Sequence, residues 1–115
     1  MPNKFLAEFE MYVMLAVAQL DDAAYGLAVR KCIESRTGRP VSVGALYTTL
    51  ARLESKGFLV QRDPDASSGR RGRPRRYCDL TPQGRQTLRH SVSMLGRMVE
   101  GVALETALGG PGEGR

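Results

Sequence analysis

Arginine residues are concentrated in one short segment of this chain. Between positions 70 and 76, five of the seven residues are Arg and none is acidic. Gly72 and Pro74 lie in the same segment and disfavour both helix and regular strand, so we expect a loop. A loop with this many guanidinium groups is suited to contacting phosphates. The alternative is a solvated loop that is rich in Arg by chance.

The other side chains that could carry chemistry do not form a recognisable catalytic or metal-binding pattern. Cys32 and Cys78 are far apart, the sequence has no C-x-x-C, and His90 is the single His, so a structural zinc site would lack ligands. No carboxylate pair has metal-ligand spacing, and G-R-R-G-R-P is not followed by the G-K-S or G-K-T of a phosphate-binding loop. We therefore predict no catalytic residues, no metal, no cofactor and two free thiols.

The positive charge of the chain belongs to one region. Residues 52–90 carry ten Lys and Arg against four Asp and Glu, a local excess larger than the net charge of +5 for all 115 residues. Localised positive charge is typical of nucleic-acid binders, and a chain of this length can form one small domain. The longest apolar run has eight residues, at 11–18, so we expect a cytoplasmic protein with no membrane partner.

A helix precedes the Arg-rich segment and has two chemically different sides. Ser42 is a good N-cap, and Leu46, Leu50 and Leu53 form an apolar side at spacings of four and three. The opposite side is small, hydroxylated and basic, which would let the helix backbone enter a DNA groove. From this helix we predict DNA contacts by Ser42, Gly44, Ala45, Tyr47, Thr48, Arg52 and Lys56. Within this set we expect base contacts from Thr48 and Arg52, and a phosphate contact from Tyr47.

A strand, the Arg-rich loop and a second strand follow this helix, which is the order of a winged hairpin. The tetrapeptide at 71–74, R-G-R-P, resembles the core of the AT-hook, a thin element that lies in narrow A/T-rich minor grooves. We therefore expect Arg73 in the minor groove and the other Arg side chains mainly on phosphates. The predicted DNA contacts of the wing are Arg70, Arg71, Gly72, Arg73, Arg75 and Arg76.

Three further helices are predicted. The first covers residues 4–20 and is apolar all round in its middle, which favours lending one face to another subunit. The second covers residues 24–36, with Leu27, Val29, Cys32 and Ile33 facing inward. The last covers residues 82–108, with Thr81 as N-cap and Pro82 at the first helical position, and a disordered tail is expected at 109–115.

The last helix carries an apolar stripe with heptad spacing. This stripe indicates self-association, although two heptads are also compatible with an ordinary core-facing stripe. The predicted dimer interface comprises Leu6, Phe9, Val13, Leu88, Val92, Leu95, Met98, Val99 and Val102. If a small-molecule effector binds, we expect an apolar pocket between subunits lined by Phe5, Phe9, Tyr12, Met94 and Met98. The competing expectation is a core packed solid by these side chains.

Four motifs in order resemble the PadR family of bacterial transcription factors. They are A-Y-G-L-A-V at 24–29, the helix segment at 44–59, G-R-P-R-R-Y at 72–77 and L-T-P-Q-G at 80–84. The resemblance implies a winged-helix domain at 1–81, a dimerising helix at 82–108 and a recognition helix that starts at Gly44. Val43 stands where many members have Pro. The sequence has no Trp, so the indole sandwich of multidrug-responsive members cannot form.

These patterns together predict a mainly α fold of the α+β type, a winged helix-turn-helix with a C-terminal dimerisation helix. The expected function is that of a homodimeric, sequence-specific regulator, a repressor on a pseudo-palindromic operator in double-stranded DNA. The alternative is a winged-helix module that binds protein or RNA without operator specificity. Duplex RNA has a narrow major groove that would exclude the recognition helix, so a preference for duplex DNA separates these two functions. A metal-sensing regulator would need carboxylate ligands, and no cluster in the sequence suggests them.

Overall fold

A computed structural model describes residues 6–63 and 76–102 of the chain. The helices are α1 (Glu8–Leu20), α2 (Gly26–Thr37), α3 (Val43–Ser55) and α4 (Pro82–Val99), with a single 3-10 turn at Asp21–Ala23. Strands β1 (Leu59–Arg62) and β2 (Tyr77–Leu80) pair antiparallel, with Leu59 opposite Leu80 and Arg62 opposite Tyr77. This is a winged helix-turn-helix followed by a C-terminal helix, and the fold class predicted from the sequence is confirmed.

The core of the domain forms around α1, which contacts α2, α3, α4 and strand β2. This central position explains why the middle of α1 is apolar on all sides. Val13 is fully buried in the protomer, and Leu88 of α4 is also buried there. Their own domain therefore covers both side chains almost completely, and the expectation that Val13 and Leu88 lie at a subunit interface stays a prediction.

Two helices start later than the sequence patterns predict. α1 begins at Glu8 and not at residue 4, since Ala7 is extended and its N–H donates to Glu10 Oε1 at 2.9 Å. α2 begins at Gly26 and not at residue 24, because Ala24 and Tyr25 pair with β2: the carbonyl of Ala24 accepts from the N–H of Cys78 at 2.7 Å. Strand-like pairing here has replaced the first predicted turn of the helix.

Side-chain directions and the end of the last helix also differ from expectation. Leu27, predicted to face inward on α2, is exposed, whereas Val29 and Ile33 are buried as predicted. α4 ends at Val99, because Glu100 leaves the helical conformation with a φ of −57° and a ψ of 129°, and Gly101 has a φ of 85°. Val102 is therefore not on the helix. Residues 103–115, which include the last part of the predicted helix and the predicted tail, lie outside the described residues.

Candidate nucleic-acid interface

Helix α3 is held by its apolar side and presents a polar face outward. Leu46, Leu50 and Leu53 are buried, and the Ser42 hydroxyl accepts from the N–H of Ala45 at 3.1 Å, which caps the helix as predicted. The oxygen of Ser42 is the acceptor in this hydrogen bond, so the hydroxyl proton is not used by it and can still be donated. The outer face of α3 consists of its exposed residues, Val43, Gly44, Ala45, Tyr47, Thr48, Ala51, Arg52, Glu54 and Ser55. Its small side chains leave the helix backbone open to close approach.

Tyr47 lies at the junction between α3 and the start of α2. Its side chain is about half exposed, with a relative exposure of 50% for the residue. A Cβ atom added to Gly26 would lie only 2.3 Å from the hydroxyl oxygen of Tyr47. Gly26 therefore makes room for the phenol ring against the first turn of α2, and this contact holds the hydroxyl at the surface of the domain.

Lys56 does not lie on the outer face of α3. Its ammonium group donates to Glu10 Oε2 at 2.9 Å, and the two side chains are 29% and 6% exposed, respectively. Burial alone would raise the pKa of Glu10, but the hydrogen bonds from Lys56 and from the N–H of Ala7 outweigh it and hold this pKa below its ordinary value. The structure thus uses Lys56 to neutralise a buried carboxylate, which opposes the predicted role of Lys56 in DNA contact.

The base of the wing is attached to the start of α2 by stacked side chains. Arg62 donates through Nε to Asp79 Oδ2 at 2.6 Å, and its guanidinium carbon lies 5.3 Å from the ring centroid of Tyr77. The Tyr77 ring in turn meets that of Tyr25 edge-on, with 5.6 Å between centroids. Arg76 is exposed where the chain enters β2. The other predicted wing contacts, Arg70, Arg71, Gly72, Arg73 and Arg75, lie outside the described residues.

Comparison with known proteins gives the family of this chain. The sequence-family model of the transcriptional regulator PadR-like family matches residues 14–90 of this chain. The chain belongs to the PadR-like family. This family consists of transcriptional regulators, so regulation of transcription through DNA, as predicted from the sequence, is the function of the family.

Individual relatives agree with this assignment. The PadR-like chain is 45% identical over 78 residues to the transcriptional regulator Rv3488 of Mycobacterium tuberculosis, covering 64% of this chain and 67% of that protein. It is 33% identical over 99 residues to an uncharacterized 37.1 kDa protein in transposon TN4556 of Streptomyces fradiae; this covers 86% of the chain but only 26% of the transposon protein. A PadR-like transcription factor from Bacteroides fragilis has a similar structure, with a TM-score of 0.65, 25% identity and coverage of 80% and 84% of the two chains.

The second half of α4 presents apolar side chains to solvent in this PadR-like protomer. Val92, Leu95, Met98 and Val99 are exposed, and so is Val102 beyond the helix end. At its other end the stripe runs into a groove of about 290 Å³ between α1 and α4. The groove is lined by Leu15, Ala18, Leu80, Arg85, Leu88, Arg89 and Val92. Leu6 and Phe9, also predicted at a subunit interface, are half-buried and pack against the core.

The predicted effector pocket is not assembled within one protomer. Tyr12 lines a cavity of about 180 Å³ between α1 and α2, and together with Phe9 it lines a smaller one of about 30 Å³. Met94 and Met98, on α4, line neither of these cavities. Phe5 lies outside the described residues.

The two cysteines are free thiols, as the sequence predicts. Cys78 is buried in β2, and burial raises the pKa of its thiol to about 11. In residues 6–63 and 76–102, no three or more His, Cys, Asp or Glu side chains come together in a group that could hold a metal ion. No helix in this part of the chain is long and apolar enough to cross a bilayer.

Sequence reasoning missed three residues that position the interface. Glu10 is the buried partner of Lys56, and the available signal was a lone acidic residue inside the otherwise apolar stretch at 9–18. Arg30 and Glu34 of α2 hold the chain just before α3, and the available signal was their spacing of four residues on one helix. The partners of all three become visible only when the helices are placed together.

Proposed function

We propose that this PadR-like chain is a homodimeric repressor that binds a pseudo-palindromic operator in double-stranded DNA in the cytoplasm. Each subunit would insert α3 into the major groove. The observation that carries the proposal is the contrast between the two sides of α3, whose apolar side is buried in the core while its outer face carries mainly small and hydroxylated side chains together with Arg52. A helix fixed in this way can bring its side chains to base edges without further folding.

Two side chains of the outer face would specify bases, and a third would position the helix on the DNA backbone. Thr48 and Arg52 lie one turn apart, and replacing either with Ala should cost about 1–3 kcal/mol on the operator and relax its preference at particular base pairs. Tyr47, at the edge beside α2, would contact a phosphate, so Tyr47→Phe should weaken binding to all duplexes alike. A selective loss at one operator position in Tyr47→Phe would contradict this assignment.

The sequence of the wing gives it two roles. Arg70, Arg71, Arg75 and Arg76 would contact phosphates, and Arg73 would enter the minor groove beside each half-site. Substituting Arg75 should lower the slope of log affinity against log salt by about 0.9 for each phosphate that is no longer neutralised. Arg73→Ala should also remove a preference for flanking A/T pairs. If wild type and Arg73→Ala respond equally to exchanging those pairs for G/C, the minor-groove contact is refuted.

The exposed stripe of α4 supports the dimer. Leu95 and Val99 are exposed apolar residues, and the groove between α1 and α4 could accept matching side chains of a second copy arranged about a two-fold axis. Val99→Glu should weaken the dimer because it places like charges opposite each other, and operator affinity should fall with it. Sedimentation of the wild type as a monomer at micromolar concentration would refute the dimer.

The function as a whole is tested by selecting bound duplexes from a random DNA pool with the purified protein. We expect a palindromic consensus, much weaker binding to duplex RNA of the same sequence, and reduced transcription in vitro from a promoter that carries the recovered site. Equal binding of duplex RNA and duplex DNA would instead favour a module without operator specificity. The effector pocket expected between subunits stays a prediction, because Tyr12 and Met98 would meet there only across the dimer.

A further inference from the structure

Two side chains of α2 hold both backbone polar groups of one residue in the turn that leads to α3. Arg30 Nε donates to the carbonyl oxygen of Val41 at 2.7 Å, and Glu34 Oε2 accepts from the N–H of Val41 at 2.8 Å. The same Nε and Oε2 atoms are 3.8 Å apart, so the two side chains also form an ion pair along one turn of α2. We call Arg30, Glu34 and the backbone of Val41 the turn clamp.

The clamp acts immediately before the helix that carries the proposed DNA contacts. Val41 precedes Ser42, the N-cap of α3, and the carbonyl of Ser42 accepts the first helical hydrogen bond from the N–H of Leu46 at 3.1 Å. The preceding residues, Gly38 to Pro40, are exposed. The clamp and the buried side chain of Val41 therefore determine where α3 begins relative to α2.

Loss of the clamp would free the start of α3, whose far end stays tied to α1 through Lys56 and Glu10. α3 has 13 residues. It is thus about 20 Å long, and a swing of about 5° about its far end would move its start by about 1.7 Å. Hydrogen bonds to base edges tolerate a donor–acceptor spread of only about 0.5 Å. Contacts to phosphates from long, mobile side chains tolerate more displacement.

We infer that Arg30 and Glu34 are positioning residues that set the direction of α3, and thereby the discrimination between operator and other DNA, without themselves touching bases. This inference rests on the proposed DNA-binding function. The side chains of Arg30 and Glu34 are about one third exposed, at 34% and 33%. When either side chain is removed, water can therefore form hydrogen bonds with the backbone of Val41 in its place. Loss of the clamp should therefore change where α3 points while the domain stays folded.

The test compares Arg30→Met with Arg36→Met, which removes the same charge from an exposed position of the same helix. Dissociation constants are measured at one salt concentration for the duplex recovered from the random pool and for a scrambled duplex of equal length. Arg30→Met should lower the ratio of specific to scrambled affinity about tenfold, the size of effect that one mismatched base pair produces. Its affinity for the scrambled duplex should match that of Arg36→Met.

Glu34 supplies the conservative variant. Glu34→Gln keeps an oxygen that can accept from Val41 and should retain the wild-type ratio, whereas Glu34→Met should lose discrimination as Arg30→Met does. Circular dichroism checks that each variant is folded. Unchanged discrimination in folded Arg30→Met and Glu34→Met would overturn the inference. An equal loss on both duplexes in Arg30→Met, beyond that of Arg36→Met, would also overturn it, because Arg30 would then be a phosphate contact.

Amide hydrogen exchange tests the clamp without DNA. In Glu34→Met, but not in Glu34→Gln, the amides of Val41 and Leu46 should exchange faster than in wild type, because the turn and the first turn of α3 are loosened. Unchanged protection in Glu34→Met would overturn the clamp even if DNA binding is specific. If wild type prefers no duplex over the scrambled one, the proposed function fails, and faster exchange in Glu34→Met alone would still support the positioning of α3.

Discussion

Replacing Lys56 with Met should destabilise the domain strongly, because it leaves the carboxylate of Glu10 buried without its counter-charge. The Glu10 side chain is 6% exposed and retains only the hydrogen bond from Ala7. Removing one partner of a buried ion pair costs about 3–5 kcal/mol. We expect the lower end, about 3 kcal/mol at pH 7, since the Lys56 side chain is 29% exposed and water can reach its position. For a domain of this size the loss corresponds to about 15 °C in Tm.

The same substitution should reverse the pH dependence of stability. In wild type the pKa of Glu10 lies below its ordinary value of 4.5, so its contribution is present above that pH and is lost as pH falls through the folded-state pKa. Without Lys56, burial is opposed only by the N–H of Ala7 and the charge of Arg52, and we expect the pKa of Glu10 to lie above its unfolded value. Lys56→Met should therefore gain stability relative to wild type as pH falls from neutral, because protonation removes the buried charge.

The assay is urea unfolding at several pH values and one fixed protein concentration, with Lys31→Met as control. Lys31 is an exposed residue of α2, so its substitution removes the same charge at little cost. The double variant Glu10→Gln with Lys56→Met should recover most of the loss and should not depend on pH in this way. If Lys56→Met is no less stable than Lys31→Met, or if its deficit widens on acidification, the role assigned to this buried pair is wrong.

Two further predictions concern close packing and burial at the sheet. A Cβ at Gly84 would lie 2.0 Å from the carbonyl oxygen of Phe58, so Gly84→Ala should lower the free energy of unfolding in urea by about 1–3 kcal/mol. A Cβ at Gly96 would meet nothing within 4 Å, so Gly96→Ala should raise that free energy by about 0.5–1 kcal/mol. Equal effects of the two substitutions would refute the steric argument. Iodoacetamide should modify half-buried Cys32 well before Cys78, because burial raises the pKa of the Cys78 thiol to about 11. Labelling of the native protein is followed over time by mass spectrometry. Labelling of both thiols at the same rate would contradict this prediction.

The fold was predictable because its signals are local. Ser42 and Thr81 cap α3 and α4 as predicted, and both hydroxyls accept from the N–H three residues on. The spacing of Leu46, Leu50 and Leu53 gave the buried side of α3 correctly. Each of these patterns depends on neighbours within one turn of helix, which the sequence displays directly.

The sequence is least informative where a residue's partner is distant in sequence. Lys56 lies one position beyond α3 and was assigned to the DNA face, but its partner Glu10 is 46 residues away. Val13 and Leu88 belong to apolar stripes of the kind found at interfaces, and a stripe does not show whether it is covered by the same chain or by another one. Helical periodicity also placed the start of α2 too early, because it does not report that Ala24 pairs with β2.

The elements proposed to meet DNA are each fixed to the same two helices. Lys56, at the end of α3, is tied to α1 through Glu10, the start of α3 is tied to α2 through Arg30 and Glu34, and the wing base is tied to α2 through Tyr25. Elements held in this way lose little conformational freedom on binding, so more of the contact energy appears as affinity. α1 also lines the groove beside the exposed stripe of α4. A change in how two subunits pack there would therefore reach α3 through α1, which packs against it, and the Glu10–Lys56 pair is one place to look for coupling between the proposed dimerisation and the proposed operator binding.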